Sequence, residues 1–367
     1  MNFINAPNFT RTMRMPTVRW RSVFDMLLRY GMVLVLIVMI IVTIIIDNKF
    51  LQSENLLNLL LQWAPQGLMA IGMTYVIITG GFDLSVGGIY AGGSVLGAAI
   101  AIHAPVALAI IATIAAGAGV GLLNGGLITI LEVNPFVATL GMGFVITGVA
   151  EVASNATPVL VTKESFATVG AGKWLSIPIP GWLLIFGLIL GGFVLARTIY
   201  GRFVYAVGGS EEASRLSGIR TRTVRTGAYV MSGALAGLAG IIIASRLSEG
   251  QANLGQNVEL SVITIVVVGG TALTGGEGAM WRTAVGIAIL AILGNAFDRL
   301  QVSAFYQEII EGAVIIGAIA IDSYAKRRLA SATRLQQGRS PAPGETGAAV
   351  EGPAGVTITN AATEVGT

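Results

Sequence analysis

Reaction chemistry needs a nucleophile, a base or a set of metal ligands, and this sequence offers few of them. It contains no cysteine and one histidine, His103. Thiolate catalysis, disulfides and two-histidine metal motifs are therefore excluded. His103 has no neighbouring carboxylate to orient it as a base. No phosphate-cradling G-x-x-x-x-G-K-[ST] loop occurs, since Gly172-Lys173 runs into Trp174 without the earlier glycine. If a nucleotide drives this protein, another chain must bind it. One acidic residue stands out. In Gly80-Gly81-Phe82-Asp83-Leu84-Ser85-Val86-Gly87-Gly88 a carboxylate lies between two long apolar runs. An ionised Asp at membrane depth costs about 2.5–3.5 kcal/mol on insertion scales, so it needs a partner or a polar cavity. The flanking glycines permit an interrupted helix of the kind that lines transporter sites. Two roles are open for Asp83: a cap on the following helix, accepting the amide of Ser85 or Val86, or a direct contact with a transported solute.

The elements that must position such a residue are membrane helices. Apolar residues make up 54% of the 367 and charged residues only 11%, against about 25% charged in soluble domains. Forty-nine glycines suit helices whose backbones approach closely. A spanning helix needs about 20 apolar residues. On that criterion the sequence predicts ten spans, at about 28–46, 56–79, two divided at His103-Ala104-Pro105, 135–154, 181–197, 225–246, 258–273, 281–297 and 305–322. Residues 1–27 form a basic N-terminal segment, and the run after them has no small-residue cleavage site, so it reads as an uncleaved first span. The membrane-spanning body covers 28–322, with an outer segment at 155–180 and an inner loop at 198–224. The Ala-, Gly- and Pro-rich 323–367 reads as a disordered tail. Glycine pairs four apart (Gly88/Gly92, Gly117/Gly121, Gly121/Gly125, Gly233/Gly237) read as helix packing.

Lysine and arginine placement checks the count. With ten spans and both termini inside, 17 of the 22 basic residues fall on the inner side; Lys49, Lys163, Lys173, Arg246 and Arg299 fall outside. That is the expected asymmetry. The net charge of +3 is spread over several inter-helix segments, which does not suit a nucleic-acid surface. Asn124, Asn134, Thr139 and Glu151, in or beside two spans, could hydrogen-bond a hydroxylated solute. Glu308 and Glu311, one turn apart, read as partners of Arg299 or as lining a water-filled path.

Five ordered motifs resemble the ribose/xylose-type ABC permease family. They are Thr79-Gly80-Gly81-Phe82-Asp83-Leu84-Ser85-Val86-Gly87; Gly121-Leu122-Leu123-Asn124-Gly125; Pro135-Phe136-Val137-Ala138-Thr139-Leu140-Gly141; Val207-Gly208-Gly209-Ser210-Glu211-Glu212-Ala213 with Ser217-Gly218-Ile219; and Val268 to Gly278. The sequence departs from the family at Phe82, usually Ile, at Ser261, often acidic, and at Glu277, usually basic.

The resemblance implies an all-α polytopic fold, the importer permease architecture shared by sugar and branched-chain amino-acid systems. It also implies a coupling helix within 198–224 that docks on a cytoplasmic ATPase, carried by Glu211, Glu212, Ala213, Arg215, Leu216, Gly218 and Ile219. Physically, this stretch reads as a short amphipathic helix stopped by glycine, with Leu216 and Ile219 sharing its apolar face. Gly80, Gly81, Asp83, Ser85, Asn124, Pro135, Phe136, Thr139, Gly269 and Gly270 are then candidates for the translocation path or its helix breaks. The implied partners are the ATPase, which would hold ATP and Mg while this chain binds no cofactor, a periplasmic sugar-binding protein, a second permease copy or paralogue, and inner-membrane lipid. Two rivals remain at this level: a branched-chain amino-acid permease and a gradient-driven carrier. The latter usually needs several ionisable residues deep in its spans.

Overall fold

The computed structural model describes residues 18–303 and, beyond them, positions 305–307, 309, 310, 312–314, 316, 317 and 320, with side chains from residue 31 onward. Glu308, Glu311 and the tail 323–367 lie outside the described residues. The helices are α1 (Val18–Ile46), α2 (Ser53–Ile78), α3 (Val86–His103), α4 (Val106–Thr129), α5 (Pro135–Ser154), α6 (Glu164–Ala171), α7 (Ile179–Arg197), α8 (Ile199–Gly209), α9 (Glu211–Leu216), α10 (Thr221–Leu247), α11 (Val258–Val268) and α12 (Met280–Arg299). Described positions between 305 and 317 are also helical. Among the described residues, six helices are long and apolar enough to cross a membrane: α3, α4, α5, α7, α10 and α12.

Helix α2 is not among those six, although it is 26 residues long. Gln62, Pro65 and Gln66 interrupt its apolar run. It tolerates Pro65 and Gln66 because it lies in the middle of the bundle, with Ala64 to Ile78 almost continuously buried against α7, α10, α11 and α12, whereas Gln62 is exposed. Helix α10 is the other central element and packs on α2, α3 and α4. Around them α4, α5 and α7 turn an apolar belt outward, including Ile111, Leu122, Phe144, Val152, Phe186 and Ile189. Such a belt is stable only against lipid or another apolar surface.

The glycine pairs allow close helix crossings. Gly117 and Gly121 on α4 face the backbone of Gly233 and Tyr229 on α10, and Gly237 meets Thr113. Gly88 and Gly92 on α3 meet Gly143 and Ile146 on α5. A methyl group at Gly117, Gly121 or Gly233 would collide with backbone oxygen, which is the small-residue logic of membrane helix contacts.

Several boundaries differ from the sequence expectation. Helix α1 begins at Val18 and not near 28, because the backbone ladder continues through charged helix formers after the apolar run has ended. Helix α11 stops at Val268, five residues before the expected 273, at a glycine cap discussed below. The segment 155–180 contains α6 and short strands. β1 (Val159–Leu160) pairs antiparallel with β4 (Glu249–Gly250), and β2 (Lys173–Trp174) with β3 (Ile177–Pro178). Within 198–224, where the sequence predicts a loop around one short helix, the structure adds α8. Its Tyr200, Val204 and Val207 repeat at helical spacing, so the signal was present in the sequence.

The connections sort to two ends of the bundle. At one end the turns after α2, α4, α9 and α11 meet. At the other, Arg299 binds Asp47 and Asn55, and Ser245 at the end of α10 bonds Gly170 N and Phe166 O of α6. Among the described residues Arg299 pairs with Asp47 and Asn55, while Glu308 and Glu311 lie outside the described residues.

Candidate functional site

Helix α2 ends in a Schellman motif, in which the Gly81 amide bonds Val76 O (3.0 Å) and the Gly80 amide bonds Ile77 O (2.9 Å). Gly80 sits at φ +80°, a conformation that L side chains adopt at a cost. The chain then runs without regular structure through Phe82 and Asp83 and turns at Leu84 and Ser85 before α3 starts at Val86. This is a break in the helical path inside the bundle, and its backbone groups need partners there.

Neighbouring helices supply them. Tyr229 OH of α10 donates to Phe82 O (3.2 Å). Thr139 Oγ1 of α5 accepts the Leu84 amide (3.0 Å) and donates to Pro135 O (2.7 Å). Asp83 Oδ1 accepts the Ser85 amide (3.1 Å) and the Ser85 hydroxyl (2.5 Å). Asn124 Nδ2 of α4 donates to Ser85 Oγ (2.8 Å). Asp83, Ser85, Asn124, Thr139 and Tyr229 are all 0% exposed. Asp83 thus accepts the Ser85 amide as expected, but in the turn before α3, whose N-cap is Ser85 without a side-chain cap bond, and the cluster is sealed in this conformation. Neither ion pair among the described residues involves Asp83; they are Arg225–Glu211 and Arg299–Asp47.

Not every residue singled out in the sequence joins this cluster. Pro135 opens α5, with Asn134 capping it by accepting the Phe136 amide (2.9 Å). Phe136 points outward, 53% exposed. Gly269 and Gly270 end α11 by the same Schellman motif, with Thr271 N on Val266 O and Gly270 N on Val267 O. They meet Arg282, whose guanidinium donates to Gly270 O (3.1 Å), and lie apart from the Asp83 group. Glu151 and Asn134 are exposed. Tyr229 was missed because a tyrosine inside an apolar span carries no sequence mark of its partner.

A second constellation links this break to α9. The end of α2, the end of α8 and the loop 269–278 interleave through glycines. Gly276 N donates to Ile78 O (2.8 Å). Gly208 packs on Ile78 O, while Gly275 and Gly276 pack on Gly80, Gly208 and Gly209. Tyr205 OH of α8 donates to Gly278 O (2.7 Å). No side chain fills the junction, so a shift of α8 is felt directly by the backbone of α2. Tyr200, on the same helix, donates to Val224 O (3.1 Å) and stacks on Tyr75. Burial pushes its phenol up to about 12, which keeps it a neutral donor.

Helix α9 follows at once. Ser210 Oγ caps it by accepting the Ala213 amide (3.2 Å), and Gly218 at φ +82° closes it. Glu211 pairs with Arg225 of α10 at 2.9 Å. The expected shared face of Leu216 and Ile219 is corrected here. Ile219 is partly buried on the core, whereas Leu216 is 82% exposed. Ser214 is the buried residue of α9, because the Schellman reversal carries Ile219 back under the helix and leaves Leu216 on the outer side. Glu211, Glu212, Ala213 and Arg215 are exposed beside it. A cavity of about 680 Å³ separates α9 from the α4–α5 turn, lined by Glu132, Pro135, Arg215, Arg220, Arg222 and Arg225 among others. An exposed leucine ringed by charges, on a six-residue helix anchored at both ends, suits a protein contact and gives no hold to a small solute.

Comparison with known proteins adds the following. A family model described as branched-chain amino acid transport system / permease component matches residues 55–319. The chain is 40% identical over 317 residues to the ribose import permease protein of Bacillus subtilis (strain 168), covering 85% of this chain and 98% of that one. It is 38% identical to the ribose import permease protein of Escherichia coli (strain K12), over 78% of this chain and 91% of that one. It is 35% identical to the L-arabinose ABC transporter permease protein of Azospirillum brasilense, over 84% and 91% respectively. No solved structure matches the chain.

Proposed function

The chain belongs to the family of branched-chain amino acid transport system permease components, and from that premise we propose that it is the membrane subunit of an ATP-driven importer for a monosaccharide. The observation that carries the reading is similarity over nearly the whole length of permeases named for ribose and arabinose, at 34–40% identity. The family description mentions branched-chain amino acids, but the relatives that resemble this chain along its length are sugar permeases. A gradient-driven carrier is disfavoured by the scarcity of buried ionisable side chains, Asp83 being the one fully buried carboxylate among the described residues.

In this reading ten helices span a bacterial inner membrane with both termini in the cytoplasm. The clustering of the turns after α2, α4, α9 and α11 at one end supports that topology, since all four are inner connections in the ten-span count. A separate ATPase holds ATP and Mg and grips α9 through Leu216, Glu212 and Arg215. Its movement reaches the Gly80–Ser85 break through the junction of Gly208 and Gly276. A periplasmic sugar-binding protein delivers the solute, and a second copy or paralogue completes the path.

The test is ATP-dependent uptake of labelled ribose and arabinose by cells expressing the chain with its candidate ATPase and binding protein. Gly218→Pro, which cannot adopt φ +82°, and Glu212→Lys should abolish uptake while the protein still reaches the membrane. Uptake inhibited by leucine and not by either sugar would overturn the sugar reading. Uptake that persists without the ATPase would overturn the importer reading altogether.

A further inference from the structure

The connection from α10 to α11, residues 248–257, does not stay at the end of the bundle. It leaves β4 and runs alongside α3. Gly250 packs on Ser94 O and Ala98. Ser94 Oγ then donates to Gln251 O (3.0 Å) and accepts the Gln251 amide (3.1 Å). Gly255 packs on Gly87 O and Ala91, and the Glu259 carboxylate lies against Gly87. From Ala98 to Gly87 is about 16 Å along a helix at 1.5 Å per residue, and α3 is one of the six membrane-length apolar helices. Non-helical backbone therefore lies at membrane depth, where it persists only if protein covers it or water reaches it.

Its inner and outer faces differ. Gly250, Ala252 and Gly255 are buried, Ala252 against Val95 and Ala150. Asn253, Gln256 and Asn257 are exposed, and Gln251 and Glu259 are half-buried. Three carboxamides exposed at that depth are incompatible with hydrocarbon. Resting on the importer reading, we propose that residues 249–259 line the water-filled sugar path, with Asn253, Gln256 and Asn257 offering amide donors and acceptors to a neutral polyhydroxylated solute. Carboxamides pair with hydroxyls in both senses and carry no charge, so they guide a sugar without trapping it.

The absence of cysteine makes the chain its own background for thiol mapping. Asn253→Cys and Gln256→Cys would be treated, in right-side-out and inside-out membranes of cells expressing the whole transporter, with a small charged methanethiosulfonate. Ile189→Cys on the apolar belt and Lys173→Cys on the outer segment serve as references. The two path variants should react from at least one side about tenfold or more faster than Ile189→Cys, because the reactive thiolate forms only in water. Labelling of both as slow as Ile189→Cys, in membranes where Lys173→Cys reacts rapidly, overturns the proposal and means that lipid or a partner covers this face. Thiol labelling reads water and not sugar, so the two failures are distinguishable. If the monosaccharide reading is wrong, labelling persists while ribose and arabinose uptake is absent.

Discussion

Asp83 Oδ1 is committed to two donors of Ser85, and Ser85 in turn receives the amide of Asn124. The chain of contacts holds the start of α3 to α4 without any cation. Asp83→Asn keeps an acceptor of the same shape, so thermal unfolding in detergent should change little and uptake should persist. Asp83→Ala removes the acceptor and leaves buried Ser85 donors unpaired, at a cost of about 1–3 kcal/mol, read as a lower Tm. Loss of uptake in a normally folded Asp83→Asn variant would mean that the charge itself serves transport. The motif Gly-Gly-Phe-Asp-Leu-Ser was conspicuous in the sequence. Thr139 and Asn124 were among the polar candidates, but their pairing with this motif was not legible and Tyr229 was not marked at all, because all three come from other helices and their spacing along the chain encodes nothing about Asp83.

Helices α4 and α10 cross closely, and the glycines at that contact are not interchangeable with others in the same helix. Gly233→Ala places a methyl group on Gly117 O, and overpacking of this kind costs about 1–3 kcal/mol. Gly126→Ala, on α4 but facing open space, should be neutral or stabilising by up to about 1 kcal/mol through lost backbone freedom. Paired unfolding curves in detergent check the contrast, and equal effects at both positions would refute the crossing. Gly87 belongs with Gly233. Any side chain there must displace Gly255 and Glu259, so Gly87→Val should slow uptake by pushing the 249–259 segment away from α3.

For the whole molecule, the sorting of connections to two ends makes a prediction about sidedness. Arg222→Cys, beside the cavity next to α9, should be labelled by an impermeant reagent only in inside-out membranes. Lys173→Cys should be labelled only in right-side-out ones. Labelling of both from one side would break the ten-span count, since an even number of spans separates segments that share a side. The same arrangement explains how a push on α9 travels. Helix α9 is fixed to α10 by Glu211–Arg225 and follows α8 directly at its cap Ser210, and α8 meets α2 through the glycine backbone at Gly208 and through Tyr200 stacked on Tyr75.

Membrane character, most helix positions and the five motifs were legible in the sequence, because hydrophobic length and the conformational demands of glycine are local properties that a chain carries wherever it folds. The division at His103-Ala104-Pro105 and the stop at Gly218 are of that kind. Other features depend on neighbours. Helix α2 tolerates Pro65 and Gln66 because four helices enclose it, and Leu216 and Ile219 take opposite fates because a cap reverses the chain between them. The polar segment 248–257 falls in the sequence simply between two expected spans, since nothing in its composition distinguishes a loop in water from one drawn inward along α3. That difference rests on Ser94, Gly87 and Ala91 lying on another helix, and long-range packing alone brings them there.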